Sequence, residues 1–161
     1  MEQQPFITVA FVIPKSPWMI GSYIIRWVEN RPFSHSVILI DDIVYEAKFP
    51  RVDDSKLEEF LQAHHIVKTY QIKVSSEERE FALAKAKEYI RKIYAVESLF
   101  AIIGRKFLKM VTTKPIRGLI CTEYVFRVLR ESGITKRYDI NPDTIDLIQL
   151  ESVVVEVQFR R

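Results

Sequence analysis

The chain has 161 residues, 48% of them apolar and 28% charged, enough for one globular core and too mixed in charge for a disordered tail. Lys and Arg number 24 against 21 Asp and Glu, a formal net charge of +3, well short of a dedicated nucleic-acid binder. Four Gly exclude collagen-like and dinucleotide-fingerprint sequences, and one Cys excludes an internal disulfide framework or a multi-thiolate zinc site.

Ile7–Ile13 is a β-branched and aromatic run that predicts a buried strand. Ser16 and Pro17 read as a cap and first-turn proline, and Ile20, Ile24, Trp27 and Val28 then recur at helical spacing. That helix is expected to end near Asn30, ahead of Pro32. His35–Ile40 and Ile43–Phe49 flank Asp41-Asp42 and predict a β-hairpin. Asp53–His64 reads as a short amphipathic helix and Ile66–Val74 as a strand. Ser75 to Glu78 forms a capping box before a helix over Phe81–Tyr94, and a second helical segment is expected over Val96–Val111. Thr112–Leu119 reads as a loop, Cys121–Glu131 as a helix stopped by Gly133, and Ser152–Phe159 as a last strand. The sum is one α+β domain over residues 1–161, an antiparallel sheet packed against helices.

Three side chains supply complementary chemistry. Cys121 starts a predicted helix, where the dipole and the unpaired N–H groups favour a thiolate; the competing reading is a small buried hydrophobe beside Leu119 and Ile120. His35 opens a strand and is either a base or a polar strand terminus. With a two-residue loop at Asp41-Asp42, residue 37 faces 46. Glu46 and His35 then become diagonal neighbours on one face, about 7–8 Å apart at the backbone. A one-residue slip would separate them, leaving Glu46 an edge carboxylate facing Lys48 or solvent. A thiolate needs a base, and the base needs a polar group to orient it; each role is filled once. His64 and His65 read as a surface connection, and no His or Cys spacing suits a metal, so neither metal nor cofactor is expected.

The stretch SYIIRWVENRPFSHSVILIDDIVYEA resembles the first half of the circularly permuted papain-like hydrolases. This group sits with the NlpC-type cysteine peptidases and includes YiiX-like bacterial proteins and relatives of lecithin:retinol acyltransferase. ICTEYVFRVLRESG resembles their nucleophile helix and INPDTIDL the Pro-Asp segment that follows it. The resemblance spans about residues 7–150 and implies Cys121 as nucleophile, His35 as base and Glu46 as the third polar residue, in the permuted order. It further implies acyl transfer through a thioester, with peptide amides, including cell-wall peptides, or lipid esters as substrates. The Cys121 N–H would serve as an oxyanion donor, with Tyr23, Tyr45 and Tyr124 as candidates for the second.

Arg105, Lys106, Lys109, Lys114 and Arg117 form a basic stretch that either draws an anionic substrate or membrane surface or is a solvated helix face. The partner expected is a small-molecule, peptide or lipid acyl substrate, and no nucleic acid. The start carries no basic region ahead of its apolar run, and no stretch matches a membrane span, so the expected context is cytoplasmic or virion-associated. The alternatives to an enzyme are an inactive binding module of the same fold and a virion or partner-docking component.

Overall fold

The computed structural model describes residues 4–16, 22, 25–27, 30–94 and 120–160. The order is β1 (Phe6–Pro14), β2 (His35–Ile40), β3 (Ile43–Ala47), β4 (Val52–Lys56), α1 (Leu57–Ala63), β5 (His64–Lys73), α2 (Ser76–Glu88), α3 (Cys121–Glu131), a 3-10 turn at Pro142–Thr144 and α4 (Leu147–Arg160). Residues 25–27 are helical, and Asn30 is a turn residue with a φ of 50°. The predicted helix over Val96–Val111, the loop over Thr112–Leu119 and the five cations of the basic stretch lie outside the described residues, as does the Pro17 helix start.

The strands form one antiparallel sheet in the order β4-β3-β2-β1-β5. Strand β1, interior to the sheet between β2 and β5, is largely apolar on both faces because both are covered. Ile7, Val9 and Phe11 join the main core with α2, α3 and α4, while Ala10 and Val12 pack with Val37, Val44 and Phe60 of α1 on the other side. The hairpin has the expected register, Ile40 opposite Ile43 and Ile38 opposite Tyr45. Asp41 takes the left-handed φ of 56° that such a tight turn requires.

The capping box at α2 is complete, Ser75 Oγ accepting from the Glu78 N–H and Glu78 accepting from the Ser75 N–H. Helix α3 runs over the residues expected of it, and Gly133, at φ 78°, provides the left-handed residue beyond its end.

Three local readings are corrected. Residues 52–56 are not helical: Val52–Lys56 is strand β4, paired along β3 from Ile43 opposite Lys56 to Ala47 opposite Val52. Its polar sequence, VDDSK, suits a solvated sheet edge, and only Leu57–Ala63 is helical. Helix α2 stops at Glu88, well before Tyr94, and Arg91 beyond it has a φ of 72°.

The last element is helix α4 and not a strand. Leu147, Leu150, Glu151, Val154 and Val157 are buried at helical spacing, with Val153 beside them and Ser152 exposed. Asp146 caps it reciprocally: Gln149 N–H donates to Asp146 Oδ1 at 2.8 Å and Asp146 N–H to Gln149 Oε1 at 3.2 Å. Burial of this stripe against β5 and α3 overrides the strand preference of the Val run. The buried carboxylate of Glu151 clamps α4 to β5, accepting from Lys68 Nζ at 2.6 Å and Tyr70 OH at 2.7 Å, with Arg31 at 3.2 Å.

Val153 and Val154 are consecutive and both buried, which a helix interior permits and a one-faced strand does not. Val153→Asp and Val154→Asp should each destabilise by about 3–5 kcal/mol, the range for an uncompensated buried charge. Ser152→Asp should stay within about 0.5 kcal/mol of the parent. Urea unfolding followed by circular dichroism reads all three, and tolerance of either Val substitution contradicts the helix.

Candidate active site

The site is assembled at the C-terminal end of β1. His35 opens β2 opposite Val12, and His64 opens β5 opposite Pro14, so the two neighbours of β1 bring two imidazoles to one place. Glu46 comes from β3 through the hairpin register. Cys121 is the first residue of α3, which packs on β2 and β3.

His35 Nε2 and Glu46 Oε2 are 3.0 Å apart, and Lys48 Nζ donates to Glu46 Oε1 at 2.7 Å. Glu46 is 1% exposed and therefore a buried carboxylate with both oxygens engaged, not a solvent-facing edge residue. The Cys121 thiol and the His35 imidazole lie close enough for each to act electrostatically on the other. Of the three side chains singled out in the sequence, His35 and Glu46 are in direct contact and Cys121 is electrostatically coupled to His35.

The electrostatics reinforce one another. Burial disfavours charge on His35, but the Cys121 charge and hydrogen bond, then Glu46, outweigh it and push the imidazole up to about 10. Burial likewise pushes the Cys121 thiol up, but the His35 charge and hydrogen bond, helped by the Ser36 backbone and hydroxyl, bring it below its ordinary value. Ser36 Oγ is buried with no hydrogen-bond partner among the described residues. Burial also raises the Glu46 carboxyl, but His35 and Lys48 overcome this and bring it from 4.5 to about 2. The arrangement favours a thiolate beside an imidazolium beside a carboxylate.

Helix α3 begins without a side-chain cap, since Ile120 offers no acceptor. The first N–H groups of the helix, including that of Cys121, are left for another acceptor.

Two further residues belong here that the sequence reading did not place. His64, read as a surface connection, lines the same cavity as His35, its ring 6.2 Å from the His35 ring and stacked on Phe60 at 4.2 Å. Its Nδ1 lies 3.3 Å from the Phe60 carbonyl, which can only accept, so Nδ1 carries the proton. Burial and the charge on His35 hold His64 below its ordinary value, so it is neutral beside a charged neighbour. Tyr94 also lines the cavity, and burial and the Cys121 charge push its phenol up. Of the three tyrosines considered as oxyanion donors, Tyr124 is committed to the Ala86 carbonyl at 3.1 Å, Tyr45 is buried in the main core, and Tyr23 lies outside the described residues.

The cavity measures about 920 Å³ and is lined by His35, Glu46 and His64 together with apolar groups such as Pro14, Ile25, Ala47 and Phe49. Cys121, 8% exposed, is not among the residues that line it; its coupling is to His35, which does. Among the described residues no group of three or more His, Cys, Asp or Glu could hold a metal ion, and no helix is long and apolar enough to cross a membrane. No family model matches the chain, and no curated protein matches it in sequence.

The Glu46 carboxyl is held low, so its contribution to stability is fully present above about 4.5 and is lost as pH falls toward 2. Glu46→Gln should therefore be less stable than the parent at pH 7, by about 1.5–3 kcal/mol for a charged hydrogen-bonded group. The gap should close between pH 5 and pH 2.5 in urea melts. A gap that does not change with pH would contradict the buried carboxylate.

Proposed function

We propose that the chain is a cysteine-dependent acyl hydrolase, an amidase, peptidase or esterase of the circularly permuted papain-like, NlpC-type group. The observation that supports it is the His35 imidazole, in contact with the Glu46 carboxylate and electrostatically coupled to the Cys121 thiol. Residue types, order along the chain and contact all match one mechanism.

In that mechanism the Cys121 thiolate adds to the substrate carbonyl carbon, and the negative charge moves to the carbonyl oxygen. The Cys121 N–H at the uncapped start of α3 stabilises this oxyanion, and the Tyr94 phenol, which lines the cavity, is a candidate second donor. Collapse breaks the bond to the leaving nitrogen or oxygen, which takes the proton of the His35 imidazolium and departs as an amine or alcohol, leaving a thioester. Neutral His35 then removes a proton from water as it attacks the thioester. The second collapse releases a carboxylic acid and restores the thiolate and the imidazolium. Glu46 fixes the ring with Nε2 toward itself and stabilises the charged form, as the third member of such a triad does.

A second reading, a binding module of the same fold without turnover, draws on the 8% exposure of Cys121, which restricts the approach of a substrate carbonyl. The two differ in the reactivity of the thiol. In an acyl hydrolase, alkylation of Cys121 by iodoacetamide should change less than about threefold between pH 8 and pH 6, whereas an ordinary thiol of pKa about 8.5 slows about tenfold per unit. His35→Ala should slow the reaction at pH 6.5 by at least about tenfold. An activated ester should leave an acyl group on the parent by mass spectrometry and none on Cys121→Ala. A rate that tracks an ordinary thiol, with no acyl adduct, supports the binding module.

A further inference from the structure

The chain segments beside the cavity mouth form a surface that acyl transfer does not require. Arg51 and Ile93 face each other in an antiparallel bridge. It is flanked by Val52 N–H donating to the Lys92 carbonyl at 2.8 Å and Tyr94 N–H donating to the Pro50 carbonyl at 2.9 Å. This is the non-hydrogen-bonded type of pair, with both side chains on one side and the backbones about 4.5 Å apart. Segments 48–51 (KFPR) and 91–94 (RKIY) thus form a single lip, carrying Lys48, Arg51, Arg91 and Lys92 and no acidic residue.

Lys48 is tied to Glu46. Arg51, Arg91 and Lys92 are exposed and form no ion pair among the described residues; Lys92 lies 4.2 Å above the Tyr89 ring. Glu88, which feels Lys92, is itself paired with Lys85 at 2.8 Å. The same segments carry two large apolar side chains that stand in solvent, Phe49 at 73% and Ile93 at 71% exposure. The same segments give Lys48, Phe49 and Tyr94 to the cavity lining, so the lip is continuous with the mouth of the candidate site.

Exposed apolar side chains placed together on a folded domain mark a contact with something apolar. A soluble polyanion would be satisfied by the cations alone and gives no use to Phe49 and Ile93. A surface with phosphate charge outside and hydrocarbon beneath uses both. We propose that this lip docks on an anionic lipid bilayer, with Phe49 and Ile93 entering the headgroup region and Arg51, Arg91 and Lys92 meeting the phosphates. The contact is independent of the chemistry at Cys121, and it sets the cavity mouth against the lipid surface.

The test is co-flotation of the full chain with vesicles of phosphatidylcholine alone and of phosphatidylcholine mixed equally with phosphatidylglycerol. The parent should float with the anionic vesicles, not with the neutral ones, and added salt should release it. Arg51→Gln/Lys92→Gln should lower the partition about 30-fold, about fivefold for each cation. Ile93→Ser should lower it about tenfold, for the loss of one buried aliphatic side chain. Both changes are at exposed side chains, and the parent's lipid and salt dependence stands without them. Equal binding to the two vesicle types, no binding to either, or Ile93→Ser binding as the parent does would each overturn the docking surface. Iodoacetamide reactivity measured alongside separates this from the enzyme reading: a reactive thiol on a chain that ignores vesicles removes the docking surface alone.

Discussion

The His35 imidazole joins two independently built parts of the protein. On one side the two-residue turn at Asp41-Asp42 fixes the register that brings Glu46 onto its face; on the other the seating of α3 on β2 and β3 delivers Cys121. A slip of one residue in the hairpin would turn Glu46 to the opposite face. Neither Cys121 nor Glu46 is comfortable where it is without the imidazole, since burial alone pushes both toward the uncharged form. The charged arrangement is therefore a property of the three groups together and not of any one.

Much of this was legible in the residues because the determining interactions are local. The hairpin is written in two β-branched runs around a pair of aspartates, and α3 in an apolar stripe ended by Gly133. Once the turn length is fixed, the shared face of His35 and Glu46 follows from alternation alone. What was not legible depends on strand order. His64 reaches the cavity because β5 crosses to the far side of β1, a placement that no short-range pattern records. Strand β4 is strand only because β3 offers it an edge. For α4 the signal was present: Asp146 and Gln149 stand at capping-box spacing, but the run of valines that follows reads more strongly as strand.

Not every buried acid is chemical. Glu151 gathers Lys68, Tyr70 and Arg31 and fastens the last helix to the sheet. Glu123, two residues after Cys121, shows the opposite balance to Glu46. Although Arg127 Nε donates to it at 2.8 Å, burial outweighs that partner and pushes its carboxyl up to about 7. A carboxyl raised in this way favours folding below its ordinary value of 4.5 and loses that advantage as pH rises through 7. What separates Glu46 from both is its place: it lines the cavity and touches an imidazole that is electrostatically coupled to the thiol.

The central claim, a thiolate sustained by His35, is open to direct titration because the chain has a single cysteine. Thiolate absorbance in the ultraviolet, followed against pH, reports Cys121 alone when read as the difference between the parent and Cys121→Ala. The midpoint should lie well below the ordinary thiol value in the parent and rise by at least about one unit in His35→Ala, a loss of about 1.4 kcal/mol of charge stabilisation. A parent that titrates as an ordinary thiol, or a midpoint unmoved by loss of the imidazole, would contradict the account.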